Sequence, residues 1–203
     1  MNELYNELFD IGCIKFGEFK LKSGIMSPVY VDFRGLISHP QTLRKVAQAM
    51  VERLKEIRFD RIAGIPYAGL PIGVAVSLEG NLPLIYPRKE AKEYGTGKLI
   101  EGKFNPGETV VVLDDVITDG ASKIEALEPL QAAGLRVEDV LIILDREQGG
   151  AQILADHELR LHSLMTLSGA LRALAEAGKI EPEMVGKVQS FIAEHQFAPK
   201  RLS

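Results

Sequence analysis

The chain has 203 residues, 46% hydrophobic and 26% charged, the balance of a soluble globular protein, and a length that suits one domain with one sizeable core or else two small domains. Its formal net charge of −4 excludes a protein built to coat nucleic acid, so any anionic ligand has to be held by a local basic patch. The single cysteine, Cys13, excludes an intrachain disulfide. The opening MNELYNELFDIG has no apolar signal core, and no aliphatic run exceeds strand length, so the expected setting is the cytoplasm, with neither membrane nor nucleic acid as partner.

Asn2–Leu8 has apolar residues at helical spacing, and Phe16–Arg34, rich in Gly, Ser, Pro, Tyr and Val, reads as short strands and turns. Ser38 and Pro40 signal the start of a helix running to about Arg58, with Leu43, Val46, Ala47, Met50, Val51 and Leu54 on one face. Strand then alternates with helix: Arg61–Ile65, helix Ala68–Leu78, Leu82–Tyr86, then Val110–Leu113, helix Ala121–Ala133, and Val140–Leu144. Pro129 inside the last helix predicts a kink or an early break. Leu167–Gln196 reads as two helices parted near Gly178–Pro182. The alternation predicts an α/β fold, a largely parallel central sheet with helices on both faces. Ligands in such sheets bind at the carboxyl ends of the strands, which directs attention to the loops after Ile65, Tyr86, Leu113 and Leu144.

The richest of these loops is VVVLDDVITDGASK, Val110–Lys123. An apolar strand delivers two acids, then a turn of small residues, then a helix. Backbone N–H groups around Thr118–Ser122, the hydroxyls of Thr118 and Ser122 and the helix N-terminus together make a phosphate cradle, with Gly120 free to take a conformation that a side chain resists. Asp114 and Asp115 beside an anion site repel the anion unless they bind something else. Ribose hydroxyls and hydrated Mg²⁺ both call for oxygen acceptors. Alone, the acid pair reads as a capping turn after a core strand; the whole constellation reads as a phosphate site. Neither a Walker sequence nor G-x-G-x-x-G is present.

VVLDDVITDGAS resembles the motif by which type I phosphoribosyltransferases bind phosphoribosyl diphosphate (PRPP). The resemblance implies that Asp114 and Asp115 hold the ribose hydroxyls while Val116, Ile117, Thr118, Asp119, Gly120, Ala121 and Ser122 enclose the 5-phosphate. It also implies the fold of that family with a small N-terminal hood, and Mg²⁺ bound mainly through PRPP itself, so no side chain is named as a metal ligand.

Three further segments point to orotate as acceptor. FKLKSGIMSPVYVDFR, Phe19–Arg34, resembles the base-covering segment of orotate phosphoribosyltransferases, which puts Lys22 on the substrates and the backbone of Tyr30 and Val31 at the orotate ring. RKEAKEYGTGKLIEG, Arg88–Gly102, resembles their catalytic lid, particularly that of the orotate half of UMP synthases. Arg88, Lys89, Lys92 and Tyr94 would then meet the pyrophosphate, with Lys92 as the catalytic cation beside Asp114 and Asp115. Many bacterial members carry histidine where this chain has Tyr94. In the family this lid reaches the neighbouring subunit's site, which implies a homodimer. In ILDREQGG, Ile143–Gly150, the arginine matching Arg146 binds the orotate carboxylate, joined by Thr118; read alone, Asp145–Arg146 is a strand-end ion pair. AGIPYAGLP, Ala63–Pro71, resembles the pyrophosphate loop and places Tyr67 at the diphosphate; several members have lysine where this chain has Ala68.

The resemblance covers roughly residues 5–195 of one domain, 1–203, with a hood of about 1–35 and a lid of about 88–102. It implies an orotate phosphoribosyltransferase, with orotidine 5-phosphate decarboxylase as a possible functional partner. Rival readings are a purine salvage transferase and a PRPP-sensing regulator; the LKSG and DREQGG segments oppose the first, the retained lid cations the second. His39, His157, His162 and His195 lack metal-ligand spacing, and Cys13 reads as a small core residue.

Overall fold

The computed structural model describes residues 2–21, 24–88 and 99–197. Helix α1 (Asn2–Asp10) leads into an antiparallel hairpin, β1 (Ile14–Lys20) and β2 (Met26–Val31), with an irregular register between Phe16 and Phe19. A 3-10 turn (Arg34–Ser38) precedes α2 (Pro40–Leu54), which has proline in its first turn, where a missing N–H costs nothing. This helix stops about one turn earlier than the periodicity suggested, in the Lys55–Ile57 turn.

Then come β3 (Arg61–Gly64), α3 (Gly69–Gly80), β4 (Leu84–Pro87), β5 (Ile100–Glu101), β6 (Thr109–Ile117), α4 (Ala121–Ala132), β7 (Arg136–Asp145), α5 (Gly150–Asp156), β8 (Arg160–Thr166), α6 (Leu167–Glu176) and α7 (Pro182–Glu194). Strand order is β5-β4-β3-β6-β7-β8, parallel throughout except for β5 against β4. Alternation along the central strands sends Val111, Leu113, Leu141 and Ile143 into one core with α2, α3 and α6, and Val110, Val112, Val140 and Ile142 into a second with α4 and α5. Cys13 is buried in the first core, where desolvation pushes its thiol up to about 11, as suits a packing residue.

From β3 the chain moves outward to β4, and from β6 outward the other way to β7 and β8. That reversal opens a crevice at the carboxyl ends of β3 and β6, where open α/β sheets bind ligands. Pro129 does not break α4 early; the helix ends only three residues beyond it, so the ring disturbs a last turn that closes with the Ala133 amide on the Pro129 carbonyl (3.2 Å).

Candidate active site

The acid pair sits within a strand, not beyond one. The sequence ended this strand at Leu113, but Asp114, Val116 and Ile117 keep register with Ile142, Leu144 and Asp145 of β7, so β6 runs to Ile117. Parallel pairing continues because the neighbouring strand is long and apolar enough to carry it. Asp114 is buried; its Oδ2 meets the Lys123 ammonium and its Oδ1 accepts the Asp115 amide (2.9 Å). Asp115 accepts the Val116 amide at Oδ1 (2.8 Å) and, among the described residues, pairs with no cation. Burial first, then the Asp114 charge, pushes the Asp115 carboxyl up to about 6.

The turn that follows is shaped for an anion. Asp119 accepts the Ala121 amide (3.1 Å), and Gly120 takes φ +78° as the residue preceding α4. Among the described residues, the amides of Thr118, Asp119, Gly120 and Ser122 donate no hydrogen bond. Four unused N–H groups at a helix N-terminus are donors for a phosphate. The turn is backed by Gly150, where a side-chain Cβ would lie 2.8 Å from the Thr118 carbonyl oxygen and 2.6 Å from Ile117 Cγ1. The second glycine of DREQGG is thus required by close packing on the phosphate turn.

Arg146 directly follows β7 and donates its amide to the Ile117 carbonyl (3.1 Å), next to Thr118. Its guanidinium is buried, Nε and Nη2 find no acceptor among the described residues, and desolvation pulls its pKa down. The alternative of an Asp145–Arg146 pair fails, because Asp145 Oδ1 accepts the Glu147 amide instead (2.7 Å). The loop beyond is fixed from outside. The Ser168 amide donates to Glu147 Oε2 (2.6 Å), the Phe197 amide to the Gln148 carbonyl (2.9 Å), and Gln196 Nε2 to the Glu147 carbonyl (2.9 Å).

Tyr67, Arg88, Asp114, Asp115 and Ser122 come together around one cleft of about 570 Å³, with Ala68, Arg34 and Lys123 also in its walls. Tyr67, after the cis Pro66–Tyr67 peptide, is 69% exposed. Arg88 pairs with Glu101 (2.8 Å) across β4 and β5. Close packing brings the two walls together: a Cβ on Gly69 would lie 2.6 Å from the Leu113 carbonyl oxygen and 3.2 Å from Asp114 Oδ1. Thr118 and Arg146 adjoin the cleft through β6 and β7 without lining it. Tyr30 and Val31 lie on β2, outside its walls; Tyr30 packs on Phe19 (ring centroids 5.5 Å apart). Lys22, Lys89, Lys92 and Tyr94, with most of the 88–102 segment, lie outside the described residues.

Among the described residues, no three His, Cys, Asp or Glu side chains lie close enough to cage a metal. With Asp114 taken by Lys123, the carboxylates left to a cation among the described residues of the cleft wall are those of Asp115 and Glu125. That suits Mg²⁺, which keeps its waters and takes other ligands from a bound diphosphate.

Three charged residues of the cleft, Arg34, Lys123 and Glu125, went unremarked in the sequence. Arg34 chelates Asp32 through Nε and Nη2 (2.8 and 2.6 Å) and holds that carboxyl down at about 2. Lys123 had a signal: a cation in the first turn of a helix opposes the helix dipole, so it needs a local partner.

No family model matches the chain. Bovine uridine 5′-monophosphate synthase is 44% identical over 199 residues, 97% of this chain and 42% of that protein. The orotate phosphoribosyltransferase of Caenorhabditis elegans is 39% identical over 194 residues, spanning 95% of this chain and 86% of that one. This chain belongs to the orotate phosphoribosyltransferase family. The solved UMP synthase of Leishmania donovani superposes with a TM-score of 0.88 at 39% identity, covering 95% of this chain and 42% of that one. The family fold expected from the motif is therefore the fold found. The chain spans about two fifths of the bovine and Leishmania synthases, and 86% of the worm orotate phosphoribosyltransferase.

Proposed function

We propose that the chain transfers ribose 5-phosphate from PRPP to orotate, giving orotidine 5-phosphate and pyrophosphate on the way to UMP. The observation that carries this reading is Arg146: a buried guanidinium with two donor nitrogens unpartnered among the described residues, one strand from a turn of unused amides. A planar carboxylate beside a sugar phosphate satisfies both. Orotate supplies the first and PRPP the second.

In this reading the 5-phosphate sits on the Thr118–Ser122 amides and the ribose hydroxyls face the Asp114–Asp115 end of β6. The diphosphate lies toward Tyr67 and Arg88. Lys22 and the backbone of Tyr30 and Val31 close over the orotate ring, so that residues 1–35 act as a hood on a single domain. As the C1–O bond breaks, its electron pair leaves with pyrophosphate, and N1 of orotate forms the new bond to C1 while its proton passes to the departing pyrophosphate or to water. The protein's task is to hold ends and stabilise charge, with Lys89 and Lys92 of an 88–102 lid neutralising the leaving group. Mg²⁺, when bound on the diphosphate, supplies Lewis-acid stabilisation of the same charge. A homodimer sharing its lids, and association with an orotidine 5-phosphate decarboxylase, complete the reading; the greater length of the bovine and Leishmania synthases supports the latter.

The test follows orotate absorbance after mixing PRPP, Mg²⁺ and orotate, omitting each in turn. Loss that needs all three is expected. Turnover of hypoxanthine, guanine or adenine in place of orotate would move the chain to purine salvage, and no turnover of any base would refute the activity.

A further inference from the structure

Lys123 is a buried lysine in the wall of the substrate cleft that the proposed chemistry does not use. It is the third residue of α4, and its side chain runs back across the phosphate turn to Asp114 on β6. Both side chains are nearly sealed, 8% and 7% exposed. A buried ammonium is strongly disfavoured unless it is paired, so this contact is specific and not an incidental surface bridge.

Its effect on the acid pair is asymmetric. Asp114 is engaged at both oxygens: Lys123 takes Oδ2, the Asp115 amide takes Oδ1, and the Gly69 backbone packs close to the same oxygen. Asp115 has only the Val116 amide as donor and pairs with no cation among the described residues. Among the described residues, the other cations lining the cleft are engaged, Arg34 with Asp32 and Arg88 with Glu101. If Lys123 were neutral, Asp114 would stand as an uncompensated carboxylate beside Asp115, in a cleft that has to admit a polyanion.

We propose that Lys123 is a positioning residue for PRPP: it fixes and neutralises Asp114 as a wall of the cleft, and leaves Asp115 as the carboxylate that meets the ribose hydroxyls. This division of labour rests on the reading of the chain as an orotate phosphoribosyltransferase. It departs from the family expectation that the two acids act alike.

The experiment compares Lys123→Met, Lys123→Arg, Asp114→Asn and the double variant Asp114→Asn/Lys123→Met. KM is measured for PRPP and for orotate separately, with a thermal melt of each protein. Lys123→Met should raise the PRPP KM about tenfold and leave the orotate KM within about twofold, a coupling within the range found for contacting residues. Lys123→Arg should restore most of the loss. Adding Asp114→Asn to Lys123→Met should recover part of it, because the charge left unpaired is removed. A merely structural lysine would instead lower the melting temperature and leave both KM values alone, or raise both equally, and either result overturns the proposal, as does additivity in the double variant. Calorimetric titration of PRPP into the unmodified and Lys123→Met proteins separates this claim from the activity. If orotate is not turned over but PRPP binding still weakens in the variant, the orotate reading fails and Lys123 stands. Equal PRPP affinity in the two proteins sinks the role of Lys123.

Discussion

Replacing Arg146 with methionine should stabilise the ligand-free protein while removing orotate binding, two effects of opposite sign from one substitution. Nε and Nη2 are buried without acceptors among the described residues. Each unsatisfied buried donor costs about 1 kcal/mol or more. Methionine removes both, and loses about 1 kcal/mol of packing where the guanidinium stood. The net is a gain of about 1 kcal/mol, which for a chain of this size raises the melting temperature by about 2–4 °C. On the ligand side, a carboxylate loses two charge-assisted hydrogen bonds of about 1.5–3 kcal/mol each, so the orotate KM should rise by about 10²-fold or more. The PRPP KM should move little, since the hydrogen bond that ties Arg146 to Ile117 beside the phosphate turn is made by its backbone amide, which the substitution keeps. Differential scanning fluorimetry reads the first effect, and initial rates with each substrate varied read the second. A lowered melting temperature with equal losses for both substrates would show that Arg146 is structural and refute the reasoning.

Asp115 gives a pH signature. Its carboxyl is raised to about 6 by burial and by Asp114, so the native state holds this proton more tightly than the unfolded chain. The resulting stability is complete below the ordinary aspartate range and lost as pH rises through about 6; Asp115→Asn should flatten that part of the melting curve against pH, and an unchanged slope contradicts the assignment. PRPP binding should run the other way, weakening below about pH 6 as the carboxylate is protonated. Gly69→Ala puts a methyl against the Leu113 carbonyl and Asp114, and should cost about 1–3 kcal/mol with a raised PRPP KM; a melting temperature equal to that of the unmodified chain would deny the tight approach. Lys92→Ala should lower kcat by about 10²–10³ and leave the melting curve in place, and near-normal turnover would remove Lys92 from the leaving-group site.

The strand–acid–turn–helix of residues 110–123 was legible because apolar run, small residues and helix start each carry a local physical signature. The strand's true end was not, since the pairing of Asp114–Ile117 depends on β7, a long-range partner that no window of β6 contains. β8 and α5 escaped notice for a related reason. RLHSLMT is polar enough to pass for a loop until β7 supplies its ladder, and GAQILAD is only seven residues long. Arg146 could be marked from its place at a strand end, but its lack of partners among the described residues is a fact of burial. The engagement of Asp145 by Glu147 removed the ion-pair alternative that the sequence had left open. Lys123 shows the converse: its position against the helix dipole was visible, but the partner that makes it matter lies nine residues away on another element.

A crystal grown with orotidine 5-phosphate tests the central claim most directly. The phosphate should be bound by the Thr118, Asp119, Gly120 and Ser122 amides and the base carboxylate by the Arg146 guanidinium. A nucleotide bound elsewhere, or a turn whose amides stay out of contact with the phosphate, would contradict it.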